Sequence, residues 1–414
     1  MSNNLDVIFK SYDIRGVFGD TLTLQDAYKI GHSFADFVDS ETILIGHDGR
    51  LSNMEMLNAV ASGISDSGKS FLYVGLVPTD VVYSLSGLLD LPGVIITASH
   101  NPPTYNGYKL KGDFGGPLLP ADITAVENMI PDTNSVDYNS ISIEDLVAEG
   151  KVIYIDLEDM YCKHAEANFD LELIRNSDMN FAYDAMFGAG MNAVKRLLPK
   201  ATFLHCDDNP GFLGIAPEPI HRNLQEFSDL MKNNNLDCGL ATDGDADRIG
   251  LYDSKGNFVD SHHIILLLIH YMVKYKGMTG KVVTAFSCSV KVEQMCMHYG
   301  LEQETVQIGF KHIAGKMVTE DVLLGGEESG GIATAGHIPE RDGIWMGLVL
   351  FEYMAKSGKT LEELIEEVYG LVGAFKYWRD DLHIDEEVKN AIVNKCNKDE
   401  FKSFGNYTVQ SIDK

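Results

Sequence analysis

Short apolar, β-branched runs alternate with amphipathic stretches along most of the chain. Residues 42–46, 71–77 and 94–97 have the length and composition of buried strands, and residues 24–38 and 54–65 repeat their apolar side chains at helical spacing. This alternation predicts an α/β unit. A polar, acidic stretch at 137–150 has weak periodicity and reads as a connection, after which residues 156–176 are predicted to form a helix. A second α/β unit follows, with strands at 180–183 and 238–241 and a strand-to-helix turn at 184–190. A polar turn at 253–260 and a helix at 262–276 open a third unit, whose strand 281–286 and segment 305–313 lead to a glycine-rich stretch at 325–331. From about residue 373 a fourth segment begins, β-like at 374–378 and helical at 386–395.

Composition narrows the function classes. The chain of 414 residues is 45% hydrophobic, enough for several cores. Its most apolar segment, 264–272, is too short to span a bilayer and is interrupted by His270. No secretory signal is read before Phe9, and the six cysteines form no C-x-x-C pair, so reduced thiols and a cytoplasmic location are expected. A formal charge of −28 argues against nucleic acid or an anionic membrane as a partner. An anionic substrate would need a local cationic site, for which Lys10, Arg15, Lys109, Lys111, Arg248, Lys311 and Arg341 are available.

Candidate chemistry lies in the loops. Residues 97–102 read T-A-S-H-N-P: an apolar run delivers Ser99 and His100 to a small polar turn, and Pro102 and Pro103 prevent a helix from following. Ser99 is a candidate nucleophile there, the alternative being an ordinary serine on a surface turn. Residues 243–248 read D-G-D-A-D-R, and Asp243, Asp245 and Asp247 can converge on one hard divalent cation. A calcium-binding loop starting at Asp243 would place Arg248 at its obligatory glycine and Ser254 at its bidentate glutamate, which excludes it. An acidic surface turn is the other reading. Residues 63–70, G-I-S-D-S-G-K-S, match the phosphate-binding loop of nucleotide hydrolases, but that loop needs a strand before it and a helix after it. Here the order is helix then strand, which argues against an NTPase.

From the serine onward, T-A-S-H-N-P-P-T-Y-N-G-Y-K at 97–109 closely resembles the active-site serine loop of the α-D-phosphohexomutases, the phosphoglucomutase and phosphomannomutase family. Three further stretches resemble that family's signatures, in its order: F-K-S-Y-D-I-R-G at 9–16, D-G-D-A-D-R at 243–248 and G-G-E-E-S-G-G at 325–331. The resemblance implies three successive α/β mixed-sheet domains around a central cleft, at 1–145, 150–253 and 258–370. An incomplete C-terminal α+β domain would occupy 373–414. It implies that Ser99 carries a phosphoryl group and completes a Mg2+ shell with Asp243, Asp245 and Asp247. Tyr12, Arg15, Arg248 and Lys311 would bind substrate. Glu327 and Ser329, two apart on a segment read as extended, would present an acceptor and a hydroxyl to adjacent sugar hydroxyls. Lys109, together with His100, would transfer protons.

The implied reaction moves a phosphoryl group reversibly between the 1 and 6 positions of a hexose phosphate through a hexose 1,6-bisphosphate, with glucose 1,6-bisphosphate as activator. Phosphomannomutase-like members commonly carry histidine where this chain has Phe310 and Gly331. Residues 309–311, G-F-K, and 336–343, G-H-I-P-E-R-D-G, look more like phosphoglucomutases, so glucose phosphate is expected first and mannose phosphate next. The family's phosphate-binding R-x-S-G-T-E loop is not found up to Lys414, so a weakened mutase, or a phosphosugar-binding homologue without turnover, is also expected. Nothing in the sequence sets an oligomeric state.

Overall fold

The computed structural model describes residues 5–9, 14–79, 89–132, 136–149, 155–380, 382 and 384–409. The first sheet holds β1 (Ile14–Val17), β2 (Thr42–His47), β3 (Ser70–Leu76), β4 (Gly93–Ile96) and β5 (Tyr105–Lys111), in the order β1-β5-β4-β2-β3. Strand β2 runs parallel to β3 and β4, whereas β5 is antiparallel to both β4 and β1. Helices Leu24–Phe37 and Asn53–Asp66 pack closely together, and the core takes Ile30, Phe34, Val60 and Ile64 from them and Ile43, Ile45 and Ile96 from the sheet. Thr23 and Asp26 close a capping box at the start of the first of these helices, satisfying backbone donors that would otherwise lack partners.

The second sheet holds β6 (Phe181–Asp184), β7 (Thr202–Leu204), β8 (Cys238–Thr242), β9 (Ile249–Asp253) and β10 (Phe258–Val259), ordered β10-β9-β8-β6-β7. The third holds β11 (Lys281–Ala285), β12 (Gln303–Val306), β13 (Val322–Gly326) and β14 (Ile332–Thr334), ordered β12-β11-β13-β14. Besides the antiparallel edge strands β1 and β10, one design recurs: the parallel strands of each sheet end in an antiparallel pair, β4 with β5, β8 with β9 and β13 with β14. The connections of those pairs are the serine loop, the aspartate loop and the 327–331 loop. The fold therefore presents the three motifs on equivalent hairpins.

Most predicted elements are present, and the departures have local causes. Residues 156–176 form two helices, Leu157–Asn168 and Leu171–Asn176, because Phe169 is extended and Asp170 starts the second helix by accepting from Leu173 N. The 253–260 turn contains β10, which pairs with β9. The acidic connection contains helix Ile143–Ala148, capped by Ser142. Arg15 lies within β1. The helix at 63–70 ends at Asp66 and a strand starts at Ser70, opposite to the order of a nucleotide-binding loop. Tyr12 and Lys10 lie outside the described residues.

Residues 375–414 form a separate compact unit, with helix Glu386–Asn397 and a hairpin pairing Ser403–Phe404 with Tyr407–Thr408. The β-like run 374–378 is not a strand, since no ladder forms there among the described residues. No helix among the described residues is long and apolar enough to cross a membrane.

Candidate active site

The serine loop is held from beneath by a side chain that carries no motif. Arg50 donates to the carbonyls of Ser99 (2.7 Å), Asn101 (2.8 Å), Pro102 (2.8 Å) and Tyr105 (3.0 Å). Its Nε stands 3.2 Å from Asp48 Oδ2, and both side chains are fully buried. Asp48 Oδ2 also accepts from Thr97 Oγ1, which in turn accepts from Ser99 N at 2.8 Å. This network holds Ser99 in left-handed backbone (φ 51°), a conformation that costs a non-glycine residue about 1–3 kcal/mol. Ala246 in the aspartate loop is held likewise (φ 62°). Arg50 and Asp48 were not anticipated, although H-D-G-R at 47–50 directly after an apolar run was a visible signal.

Asp243, Asp245 and Asp247 are fully buried, and their ligand-capable atoms lie within 4.8 Å of one another. Asp243 accepts from Ser99 Oγ at 2.8 Å through Oδ2 and from Arg248 N at 3.1 Å through Oδ1. Asp245 Oδ2 accepts from Thr79 Oγ1 at 2.7 Å and from Lys109 Nζ at 2.5 Å. Asp247 Oδ2 accepts from Lys109 Nζ at 2.6 Å and faces Arg341 Nη2 at 2.8 Å. Gly244 permits this meeting of loops, since a Cβ there would stand 2.7 Å from the carbonyl oxygen of Ser99. Asp245 Oδ1 and Asp247 Oδ1 are buried without a hydrogen-bond partner. Two orphaned carboxylate oxygens beside a serine hydroxyl form an all-oxygen donor set that fits a hard divalent cation such as Mg2+.

Electrostatics support that fit. Burial, then the neighbouring Asp245 and Asp247, pushes the Asp243 carboxyl far above the usual range. Burial also opposes ionisation of Asp245, but the Lys109 charge and the hydrogen bonds from Lys109 and Thr79 outweigh it and hold that carboxyl well below the usual range. For Asp247 burial is likewise overcome, by Arg341 and Lys109. The site does not sustain three adjacent buried anions without further positive charge. Lys109 is kept protonated by Asp245 and Asp247 despite its burial. His100, with Nδ1 3.3 Å from Ser99 Oγ, is kept neutral by burial and by the nearby cations Arg248 and Arg15.

The 327–331 loop joins the aspartate loop directly. Arg248 forms a β-bridge with Gly331, and Ile249 N donates to Gly330 O at 3.1 Å. Glu327 and Ser329 do not lie on an extended segment: Gly330 N donates back to Glu327 O at 3.2 Å, so the stretch is a tight turn and the two-residue alternation does not apply. Glu327 accepts from Gly309 N at 2.8 Å, which ties this turn to the start of helix Phe310–Thr319. Lys311 sits in the first turn of that helix and, among the described residues, pairs with no carboxylate. Arg15 reaches the serine loop, donating to Asn101 Oδ1 at 2.8 Å. Ser99, His100, Lys109, Arg15, Arg248 and the three aspartates thus meet in one place, with Glu327 on the adjoining turn.

Three α/β domains with mixed sheets, each supplying one hairpin loop to a common cluster, define the phosphohexomutase class. The sequence matches the phosphoglucomutase/phosphomannomutase α/β/α domain I family over residues 6–137, domain II over 159–256 and domain III over 260–371. The chain belongs to this family, the α-D-phosphohexomutases. It is 31% identical to a phosphoglucomutase of Neisseria meningitidis, covering 88% of this chain and 78% of the relative. It is 30% identical to a phosphoglucosamine mutase of Methanococcus maripaludis, covering 91% and 83%. The crystal structure of a putative phosphomannomutase from Thermus thermophilus superposes with a TM-score of 0.80 at 28% identity, covering 88% of this chain and 84% of that one.

Proposed function

We propose that this phosphohexomutase moves a phosphoryl group between the 1 and 6 positions of a hexose phosphate, with Ser99 as the phosphorylated residue. The observation that carries this reading is the contact of Ser99 Oγ with Asp243 inside a buried cluster of three carboxylates, Lys109 and Arg248. In the first half-reaction the bond from phosphorus to serine oxygen breaks and a bond to the free sugar hydroxyl forms. The hydroxyl proton leaves to a base, and the serine oxygen takes one up. After the bisphosphate reorients, the second half-reaction returns the other phosphoryl group to Ser99. Bound by Asp243, Asp245, Asp247 and the serine-borne oxygen, Mg2+ would supply Lewis-acid stabilisation of charge on the transferring group.

The proton carriers are His100 and Lys109. His100 is neutral and adjacent to the serine oxygen, so it can accept a proton, whereas Lys109 retains one to donate and adds positive charge beside the reacting group. Arg15, Arg248 and Lys311 provide cations for the substrate phosphates, Glu327 and Ser329 engage sugar hydroxyls, and Tyr12 belongs to the same proposal on sequence alone.

Glucose phosphate is the proposed first substrate, supported by the G-F-K and G-H-I-P-E-R-D-G stretches. Mannose phosphate is next, and the phosphoglucosamine mutases among comparably similar relatives add glucosamine phosphate to the comparison. A cytoplasmic location is proposed with it, supported by six unpaired cysteines. The test is kcat/KM on the 1-phosphates of the three sugars with Mg2+ and catalytic glucose 1,6-bisphosphate. Preference for glucose 1-phosphate is expected. Preference for another sugar overturns the substrate choice, and no turnover of any overturns the reading.

A further inference from the structure

Arg341 is 2% exposed and held on several sides. Its Nη2 faces Asp247 Oδ2 at 2.8 Å, its Nε faces Glu340 Oε1 at 3.0 Å, and its guanidinium lies 5.2 Å from the centre of the Phe310 ring. The backbone beside it is pinned as well: Asp342 N donates to Ile332 O, and Gly343 N donates to Ala246 O at 2.9 Å. Asp342 then caps helix Gly343–Ser357 by accepting from Trp345 N at 2.7 Å. Arg341 therefore sits on rigid backbone between the aspartate loop and strand β14.

Its aliphatic stem runs over Gly331. A Cβ at position 331 would stand 2.4 Å from Arg341 Cδ, closer than non-bonded carbons approach, and in a tight contact of 3.2 Å with Cγ. A flexible side chain ordinarily relieves such a contact by swinging aside. Here that movement would pull the guanidinium off Asp247. Arg341 and Lys109 both engage Asp247 Oδ2, whereas Oδ1 accepts no hydrogen bond and has only Arg248 Nε near it, 4.0 Å away. The two cations thereby fix the rotation of this carboxylate.

On the phosphohexomutase reading above, we propose that Arg341 is a positioning residue for the metal-binding carboxylate of Asp247, and that Gly331 is required because Arg341 occupies the space of a side chain there. Residue 331 in the sugar-binding loop and the cation affinity of the aspartate loop are coupled through this one arginine. Loss of a charge-assisted hydrogen bond that orients the ligand lowers cation affinity by about tenfold or more.

The coupling is measured on the full chain as Mn2+ affinity, by electron paramagnetic resonance of the free ion, with urea denaturation to confirm folding. Gly331→Ala is expected to weaken Mn2+ binding about tenfold in the parent, and by less than about twofold when introduced into Arg341→Ala. Arg341→Met, which keeps the stem and the packing but removes the guanidinium, is expected to weaken binding about tenfold. Arg341→Lys should recover part of that loss. Equal losses from Gly331→Ala in both backgrounds, or Arg341→Met with parental affinity, overturn the proposal. If Gly331→Ala does not fold, Arg341→Met decides. Failure of the parent to turn over hexose phosphates while the Mn2+ coupling persists would remove the proposed reaction and leave the positioning role intact.

Discussion

Ser99 and Asp243 are 144 residues apart in the chain, yet the serine hydroxyl donates to Asp243 Oδ2 at 2.8 Å. On the proposed reading, this contact singles out Ser99 among the described serines as the one to carry a phosphoryl group. Intact-mass analysis after incubation with glucose 1,6-bisphosphate should show one added phosphoryl group. Ser99→Ala should abolish it, and a phosphoryl group mapped to another serine would remove the mechanism.

Asp245 combines an orphaned Oδ1 with an Oδ2 committed to Lys109 and Thr79. Excess chelator should therefore stop turnover and added Mg2+ should restore it. Asp245→Ala should lower kcat by about a hundredfold or more, equivalent to about 3 kcal/mol of transition-state stabilisation. Full activity in chelator would refute the metal assignment.

Arg50 is a stability prediction as well as an activity one. Arg50→Met leaves the carbonyls of Ser99, Asn101, Pro102 and Tyr105 without this donor and Asp48 without its cation. With buried unsatisfied groups costing about 1–3 kcal/mol each, partial relaxation still leaves a loss of about 3 kcal/mol or more in urea unfolding. Phosphoryl uptake by Ser99 should fall with it, because the strained backbone at Ser99 loses its support. Unchanged stability would show that the loop holds its own shape.

Lys111 lies two residues beyond Lys109 on β5, fully buried. Burial pulls its ammonium down to about 7, against the pull of Glu340. Because this folded value lies below that of the unfolded chain, the unfolded state binds more protons between the two. The charged-lysine penalty is therefore full below about pH 7 and is relieved as pH rises toward the ordinary lysine value of about 10. Lys111→Met should accordingly raise the unfolding free energy in chelator most at about pH 6 to 7, with the gain fading by about pH 10. A gain independent of pH would show that packing, not charge, is responsible.

The sequence by itself determined the α/β alternation, the helix-then-strand order at 63–70 and the positions of the three motif loops. These depend on the spacing of apolar side chains and on local turn residues, which act over a few positions. Local spacing does not specify a contact whose partner lies elsewhere in the chain. The break at Phe169 follows from Asp170 capping a second helix, β10 forms because β9 lies beside it, and the run at 374–378 has β-like residues but no ladder among the described residues. The site divides in the same way. Ser99, Asp243, Asp245 and Asp247 were visible as motif residues, and only tertiary structure decided that they meet, that Arg50 supports the serine turn and that the stem of Arg341 lies over Gly331. A buried arginine is specified by the carbonyls and carboxylates that surround it in space, and those groups come from segments that approach one another only once the hairpin loops have been brought together.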